Sequence, residues 1–504
     1  MSTKMHGPVA AVDLGAQSGR VALGAVVGGR LDLQLVHRFA NESVDLRGRL
    51  LWNVLGIFAE IKRGLREAAR RGGEVESVAV DAWGLDYALL DAGGLPVGPV
   101  FHHRDRRTDG MIERALMRVP RDQIYARTGT QFMTANTLDQ LLAEAPSTLA
   151  RADRLLMIPA LMAYWLSGHG ACEPTIASTT QLFDVRAGSW AHDLVGMLGI
   201  PARLLPPIVG SHEPLGPLLP EVVADAGLAR APLVRLGASH DTAAALVAVP
   251  AADEQFAYVS SGTWSLVGVE TRAPVLSQAA CAANVTNELG VDGTVRLLKN
   301  VTGLWTLTQA QRTWEREGRP QDLAQLLAAA ARLPAGHAVV DVDDPSLRLP
   351  GDVPARLRAL CAAAGEPLPE HPAEVVRVLV DSLACKYALV IEQVAALGGV
   401  TPSAVHVVGG GSQNELLSQT TADATGLPVI AGPVEATVAG NVLWQLHDGI
   451  GDLWDLREVV RRSTRLRRYE PARAGARALE PARHRLAATA ARSRSRIATV
   501  SDRG

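Results

Sequence analysis

The sequence predicts an α/β protein built from at least two domains. Three observations carry that expectation. The chain is 504 residues long, more than one ordinary hydrophobic core organises. Runs of small and β-branched residues alternate with stretches whose apolar positions recur at helical spacing. One hairpin pattern also stands near the start of each half, as VAAVDLGAQSGRVALGAV at residues 9–26 and QFAYVSSGTWSLVGV at 255–269.

After the first hairpin, a third strand ends near LVHRFAN. A helix follows through VLGIFAEIKRGLREAARRGG, which Gly72 and Gly73 stop. VESVAVDAWGLDYALLDAGGLPV then reads as a buried strand, a loop and a second strand closing on a glycine turn, which makes a mixed sheet flanked by helices. Residues 110–230 read as helices and loops with proline-rich connections, an insertion suited to shaping a pocket. Beyond the second hairpin come a helix over about 304–330, a poorly patterned stretch to 370, and the long helix PAEVVRVLVDSLACKYALVIEQVAALGG. AVHVVGGGSQNELLSQTTADATG then gives strand, glycine turn and helix, with Ser412 or Asn414 available as the helix cap. The segment from about 471 holds few large apolar residues and many Arg, Ala and Ser, a composition that predicts disorder.

Composition excludes several classes of function. Hydrophobic residues at 47%, charged residues at 20% and a net charge of -2 describe a soluble globular protein without the basic footprint of a nucleic-acid partner. No apolar run approaches a membrane span, and MSTKMHGPVA lacks the apolar core of a secretory signal, so a cytoplasmic location is expected. Cys172, Cys281, Cys361 and Cys385 are widely spaced and form no CxxC, which argues against both zinc and a disulfide framework.

Three stretches admit a functional reading beside a structural one. In the first hairpin, Asp13, Gly15, Gly19 and Arg20 make either an ordinary turn or an anion cradle, in which the glycines let backbone N–H groups converge. Asp13 would repel a bound phosphate unless a magnesium ion stood between them. VVGGGSQN at 407–414 sets three glycines between a strand and a helix N-terminus, where a flat ligand or phosphate can approach, yet it matches neither GxGxxG nor GxxxxGK[ST]. Asp241, between His240 and Thr242, is either an acid in a helix's first turn or a carboxylate base aimed at a substrate hydroxyl. DAWGLDYALLD at 81–91 brings Trp83 and Asp86 around Gly84, which suits a polyol or else describes a buried tryptophan with a satisfied carboxylate.

Taken together, DLGAQSGR, DAWGLDYALLD, RDRRTDG, TGTQF, ASHDTAAA, YVSSGTWSLVG, NVTNELG, RLLKNVTGLW, HVVGGGSQN and AGPVEATVAGN resemble the FGGY carbohydrate kinases over roughly residues 8–470. The resemblance implies two actin-like ATPase (ribonuclease H-like) domains, residues 1–245 and 246–470, with an interdomain cleft, followed by a tail at 471–504. It implies ATP and Mg2+ as cofactors and a ketose as the other small-molecule substrate; the sequence leaves open whether the protein is a monomer or a homodimer. DAWGLD, SHDTA and RLLKNVTGLW resemble the branch that phosphorylates L-rhamnulose at its 1-hydroxyl. L-fuculose or a pentulose, and a non-catalytic nucleotide switch, are the alternatives.

Residue by residue, the resemblance matches Ala16, Gln17, Ser18, Gly19 and Arg20 to the first phosphate loop and Asp13 to the metal-associated acid. Gly262 and Thr263 match the second phosphate loop, Thr308 a nucleotide-contacting position, and Gly410 and Gly411 the adenosine motif. Gly84, His240, Thr242 and Asn300 match substrate contacts, and Asp241 the catalytic base. Three positions depart from the pattern: Ser412 stands where a cysteine is familiar, Gln17 where a small residue is, and Thr308 where a glutamine is, with Gln309 one place later.

Overall fold

The computed structural model describes residues 5–501 apart from residue 73. Two compact units emerge. The first takes the chain up to Ala252 together with Glu270–Leu297 and Glu435–Arg465; the second takes Asp253–Val269, Leu298–Val434 and the chain from Leu466. Two stretches from the second half of the sequence thus fold with the first unit. Helix Ala436–Gln445 shows why: Gly440 lies so close to the Ala244 backbone that a Cβ would stand 1.7 Å from its carbonyl oxygen, and Val442 packs onto Gly24. No linear boundary records such a return.

In the first unit, β1 (Met5–Leu14), β2 (Ser18–Val27) and β3 (Arg30–Ala40) form an antiparallel meander. β4 (Ser77–Ala82) joins β1 in parallel, β6 (Leu233–Arg235) joins β4 in parallel, and β5 (Pro214–Pro217) closes the edge antiparallel to β6. The sheet order is therefore β5-β6-β4-β1-β2-β3. β1 and β4 are buried along almost their whole length, as expected of strands covered on both faces. Helix Val54–Gly72 covers this sheet with Ile57, Ile61, Leu65 and Ala68, spaced at i, i+4, i+8 and i+11, while Arg70 and Arg71 sit favourably at its C-terminal end. Gly73, expected to help stop that helix, lies outside the described residues.

The second unit repeats this design. β7 (Phe256–Ser261) and β8 (Trp264–Thr271) form the hairpin, β11 (Ala404–Val408) joins β7 in parallel, β12 (Val429–Ala431) joins β11 in parallel, and β13 (Arg467–Tyr469) closes antiparallel. β9 (Thr286–Leu289) belongs to the first unit, and β10 (Val295–Thr302) begins there and ends in the second. The weak repeat of two hairpins in the sequence is thus the visible part of a duplicated sheet topology.

Two expectations need correction. The helix expected over about 304–330 is two, Trp305–Arg316 and Leu323–Ala331, parted where Gly318 takes a positive φ and Pro320 follows. The tail expected to be disordered forms helix Arg473–Ser501, whose Leu479, Ala482 and Leu486 are buried. Those three residues recur at i, i+3 and i+7, a stripe narrow enough to vanish in the average composition. Between those regions, Asn414 rather than Ser412 caps helix Glu415–Thr425, its side chain accepting the Leu417 N–H at 3.0 Å.

Candidate active site

Strands β1, β4 and β6 run parallel, so their carboxyl ends finish at one edge, where open α/β sheets present ligands. Asp13 is the penultimate residue of β1; its neighbours in register are Arg20 on β2 and Asp81 on β4. The chain after β6 continues along the same edge. Ala82 donates its N–H to Ser239 at 2.9 Å and pairs with His240, which brings in Asp241 as the first residue of helix Asp241–Val247. Trp83 donates to the Leu14 carbonyl at 3.3 Å, and Gly84 follows directly. The first unit therefore brings together Asp13, Arg20, Gly84, His240, Asp241 and Thr242 from distant parts of the sequence.

Asp241 is the acid in the first turn of this helix, as its structural reading has it, but its side chain does not cap the helix. His240 occupies the cap position without a side-chain bond, and Asp241 Oδ1 instead accepts from the Thr242 N–H at 2.6 Å and the Thr242 hydroxyl at 3.2 Å. Among the described residues Oδ2 receives no hydrogen bond, and the carboxylate is half-buried rather than enclosed.

The charge around Asp13 is unbalanced. Arg20 Nε lies 3.3 Å from Asp13 Oδ2, while its Nη1 donates to Glu435 Oε2 at 2.5 Å, so one guanidinium serves two acids. Burial above all, helped by repulsion from Asp241 and Glu435, lifts the Asp13 carboxyl to about 6 in spite of Arg20. Asp81 is fully buried and accepts from Asn441 Nδ2 at 2.6 Å. Burial, then Asp13 and Asp241, hold its carboxyl well above the usual carboxylate range. An oxygen-rich site short of positive charge fits Mg2+, which favours one or two carboxylates plus phosphate oxygens. Among the described residues no three acids, histidines or cysteines are grouped to hold a metal unaided.

The stretch matched to the first phosphate loop is a tight turn. Gly15 N–H donates to the Ser18 carbonyl at 3.0 Å, and Asn41 braces the tip through its N–H to Gln17 and its side-chain amide to the Gly15 carbonyl at 2.8 Å. Ala16, Gln17 and Ser18 form the half-buried tip. The two glycines of the hairpin do different work. A Cβ on Gly19 would stand 2.2 Å from the Phe39 ring, so Gly19 admits an aromatic side chain rather than bending the loop.

In the second unit, three segments converge. The Gly262–Thr263 turn joins β7 to β8, and its two carbonyls accept from Leu304 N–H at 3.0 Å and Trp305 N–H at 3.2 Å, which ties it to the start of helix Trp305–Arg316. Gly411 packs against Ser261 so closely that a Cβ would meet its Oγ at 2.0 Å, whereas Gly410 faces open space. Ser412 donates to the Gly409 carbonyl at 2.7 Å, holding the turn. Thr308 is half-buried with its hydroxyl bonded back to the Leu304 carbonyl at 3.1 Å, and Gln309 turns into the interior. Asn300 lies on β10, half-buried.

Asp86 follows the structural reading. Its Oδ2 accepts from Trp52 Nε1 at 2.7 Å, Trp83 Nε1 at 2.9 Å and the His103 ring at 2.9 Å, and its Oδ1 accepts from Gln140 Nε2 at 2.8 Å. Burial would raise its carboxyl, but attraction to His103 and these hydrogen bonds bring it down to about 2. Trp52, Trp83 and His102 stack around it at 4.2–4.3 Å between rings. This knot holds the adjoining Leu85 at φ +79, and the Leu85 carbonyl accepts from the Thr137 hydroxyl at 2.6 Å. Gly84, just before it, sits against Thr179, whose side chain leaves only 3.0 Å for a Cβ.

Asp81 and Glu435 escaped the sequence reading as site residues. Both lie in stretches quoted for the family resemblance, yet only the strand register beside Asp13 and the bond to Arg20 reveal their part.

Residues 9–248 match the model of the FGGY family of carbohydrate kinases, N-terminal domain, and residues 257–448 that of the C-terminal domain. The chain belongs to this family and is a carbohydrate kinase with the two-domain actin-like ATPase fold. It is 38% identical over 467 residues to a rhamnulokinase of Bacteroides thetaiotaomicron, covering 92% of this chain and 95% of that one. A rhamnulokinase of Klebsiella pneumoniae is 40% identical over 468 residues, covering 92% and 94%. Among solved structures, a gluconate kinase from Lactobacillus acidophilus superposes with a TM-score of 0.77 at 15% identity over 96% of both chains, and a xylulose kinase from Rhodospirillum rubrum with 0.75 at 19% identity over 97% and 98%. Among the described residues no helix is long and apolar enough to cross a membrane.

Proposed function

We propose that the protein transfers the γ-phosphoryl group of ATP to the 1-hydroxyl of L-rhamnulose, giving L-rhamnulose 1-phosphate and ADP in the cytoplasm. The observation that carries the chemistry is the half-buried Asp241, whose Oδ1 is fixed by Thr242 and whose Oδ2 is left open. The substrate rests on the rhamnulokinases that match over 92% of this chain.

Phosphoryl transfer proceeds through a loose transition state, so positioning and charge stabilisation do most of the work. Asp241 accepts the proton of the attacking hydroxyl, which becomes acidic late in transfer, so an ordinary carboxylate suffices. His240, Thr242, Gly84 and Asn300 contact the sugar. The turns at Ala16–Arg20 and Gly262–Thr263 present backbone N–H groups to the phosphates, Thr263 adds its hydroxyl, and Gly410, Gly411 and Thr308 border the nucleotide. Mg2+, associated with Asp13, neutralises charge on the phosphate oxygens when bound.

The test is ADP release by the purified protein with Mg-ATP and a panel of L-rhamnulose, L-fuculose, L-ribulose, D-xylulose and glycerol, alongside Asp241→Asn. Preference for L-rhamnulose, with turnover falling by about a thousandfold in the variant while ATP still binds, is the expected result. Turnover of a different sugar would replace the substrate, and sugar-independent ATP hydrolysis alone would replace the kinase reading by that of a nucleotide switch.

A further inference from the structure

Behind His240 lies a buried ion pair that the reaction above does not use. Arg296, at the start of β10, is wholly buried, and Glu288 on β9 nearly so. Arg296 Nη1 lies 3.2 Å from Glu288 Oε2, and its Nε and Nη2 donate to the Leu289 carbonyl at 3.3 and 3.1 Å. Both residues converge on one ring atom: His240 Nδ1 is 3.1 Å from Glu288 Oε2 and 3.1 Å from Arg296 Nη2. The other ring nitrogen, Nε2, stands 3.4 Å from Asp241 Oδ1.

We propose that Glu288 and Arg296 are positioning residues that hold the His240 ring against Asp241 and so set the direction of the catalytic carboxylate. The proposal rests on the reading of Asp241 as the base.

Arginine can only donate hydrogen bonds and an ionised glutamate can only accept them. His240 Nδ1 accepts from Arg296 Nη2, which leaves the ring proton on Nε2. The ring plane is then fixed and Nε2–H faces Asp241 Oδ1 at 3.4 Å. That oxygen is then confined by His240 on one side and by the Thr242 N–H and hydroxyl on the other, which leaves Oδ2 for the substrate proton.

The hairpin bearing the pair is itself anchored within the first unit. Asn287 N–H donates to the Gly129 carbonyl at 2.8 Å, and Leu289 N–H to the Ser178 hydroxyl at 2.9 Å. From the opposite side Ser239 N–H donates to Glu173 at 3.2 Å and His240 N–H to Thr175 at 3.1 Å, so backbone and ring of the base loop are held independently. Burying a guanidinium and a carboxylate is costly, and an apolar pair would hold a hairpin at least as well. What an apolar pair cannot do is donate to Nδ1 and so keep the ring proton on Nε2.

Steady-state kinetics with Mg-ATP and L-rhamnulose would test this on Glu288→Gln, on Arg296→Lys, on the paired change Glu288→Leu with Arg296→Met, and on each combined with Asp241→Asn. The paired change strands no buried charge, so it keeps the test alive if a single variant fails to fold. The expected result is a fall in kcat of about 10- to 100-fold with KM for ATP within about twofold of wild type. In the Asp241→Asn background the same changes should cost less than about twofold, because the group they position no longer acts. Losses that multiply in that background, a wild-type kcat in the paired variant, or a parallel rise in KM for ATP would each overturn the proposal. If Asp241→Asn itself keeps wild-type turnover, the base assignment fails instead.

Discussion

Asp13 and Asp81 stand opposite one another in register on adjacent parallel strands, two buried carboxyl groups at the edge that also receives Asp241. Such a pair is costly to ionise fully. Asp13 titrates at about 6 in the folded chain against an ordinary value of 3.8. Between those values the folded state holds a proton that the unfolded state releases, so this group's contribution to stability is full below about pH 4 and is lost as pH rises through 6. The shift corresponds to roughly 3 kcal/mol. In magnesium-free buffer, unfolding free energies measured across that window should therefore decline more steeply for the wild type than for Asp13→Asn. Parallel profiles would show that Asp13 is not the group responsible.

The contact of Gly411 with Ser261 leads to a prediction about the proposed nucleotide site. A Cβ at 411 would meet the Ser261 side chain at 2.0 and 2.6 Å, so Gly411→Ala must displace either the turn or the end of β7. Overpacking of this kind costs about 1–3 kcal/mol. The expected outcome is a raised KM for ATP with the KM for sugar little changed, partly reversed by Ser261→Gly in the same chain. Failure of that second change to restore ATP affinity would mean that the crowding is relieved elsewhere.

The C-terminal helix is expected to matter for stability. Leu479 and Leu486 are each only 1% exposed, Gly336 packs under the Ala478 carbonyl, and Arg485 donates to Glu366 and to the Gly336 carbonyl. Leu479→Ala and Leu486→Ala should each lower the unfolding free energy by roughly 2–4 kcal/mol, read from denaturant midpoints. A change below about 0.5 kcal/mol in both would return the segment to the status of a solvated tail.

What the sequence made legible follows from range. Local signals survive in it: the helix at Val54–Gly72 from its apolar spacing, the hairpins from their paired runs, and Asp13, Asp241 and the glycines of 409–411 from motifs short enough to quote. Relationships across tens to hundreds of residues do not. Arg20 meets Glu435, Asp81 meets Asn441, and His240 meets Glu288 only because distant segments of the chain fold back on one another, and no spacing encodes that return. Asp86 shows the complementary difficulty, since an acid beside tryptophans reads alike whether it faces a ligand or five protein donors.

Asp86 is also where the two readings can be separated by experiment. All of its neighbours donate: two indoles, an imidazole and the His103 backbone N–H to Oδ2, and the Gln140 amide to Oδ1. Asp86→Asn replaces one acceptor by a donor that must face another donor, so a loss of roughly 3 kcal/mol is expected in unfolding free energy at pH 6. The carboxyl titrates at about 2 in the folded chain against an ordinary 3.8. Its ionised form therefore contributes stability that is fully present above about pH 4 and disappears as pH falls through 2, a difference of roughly 2 kcal/mol. The gap between wild type and variant should accordingly narrow over that acid range. A sugar-binding carboxylate would behave differently: Asp86→Asn would then raise the KM for sugar while leaving unfolding midpoints where they were, and that pattern would move Asp86 from the scaffold into the substrate pocket.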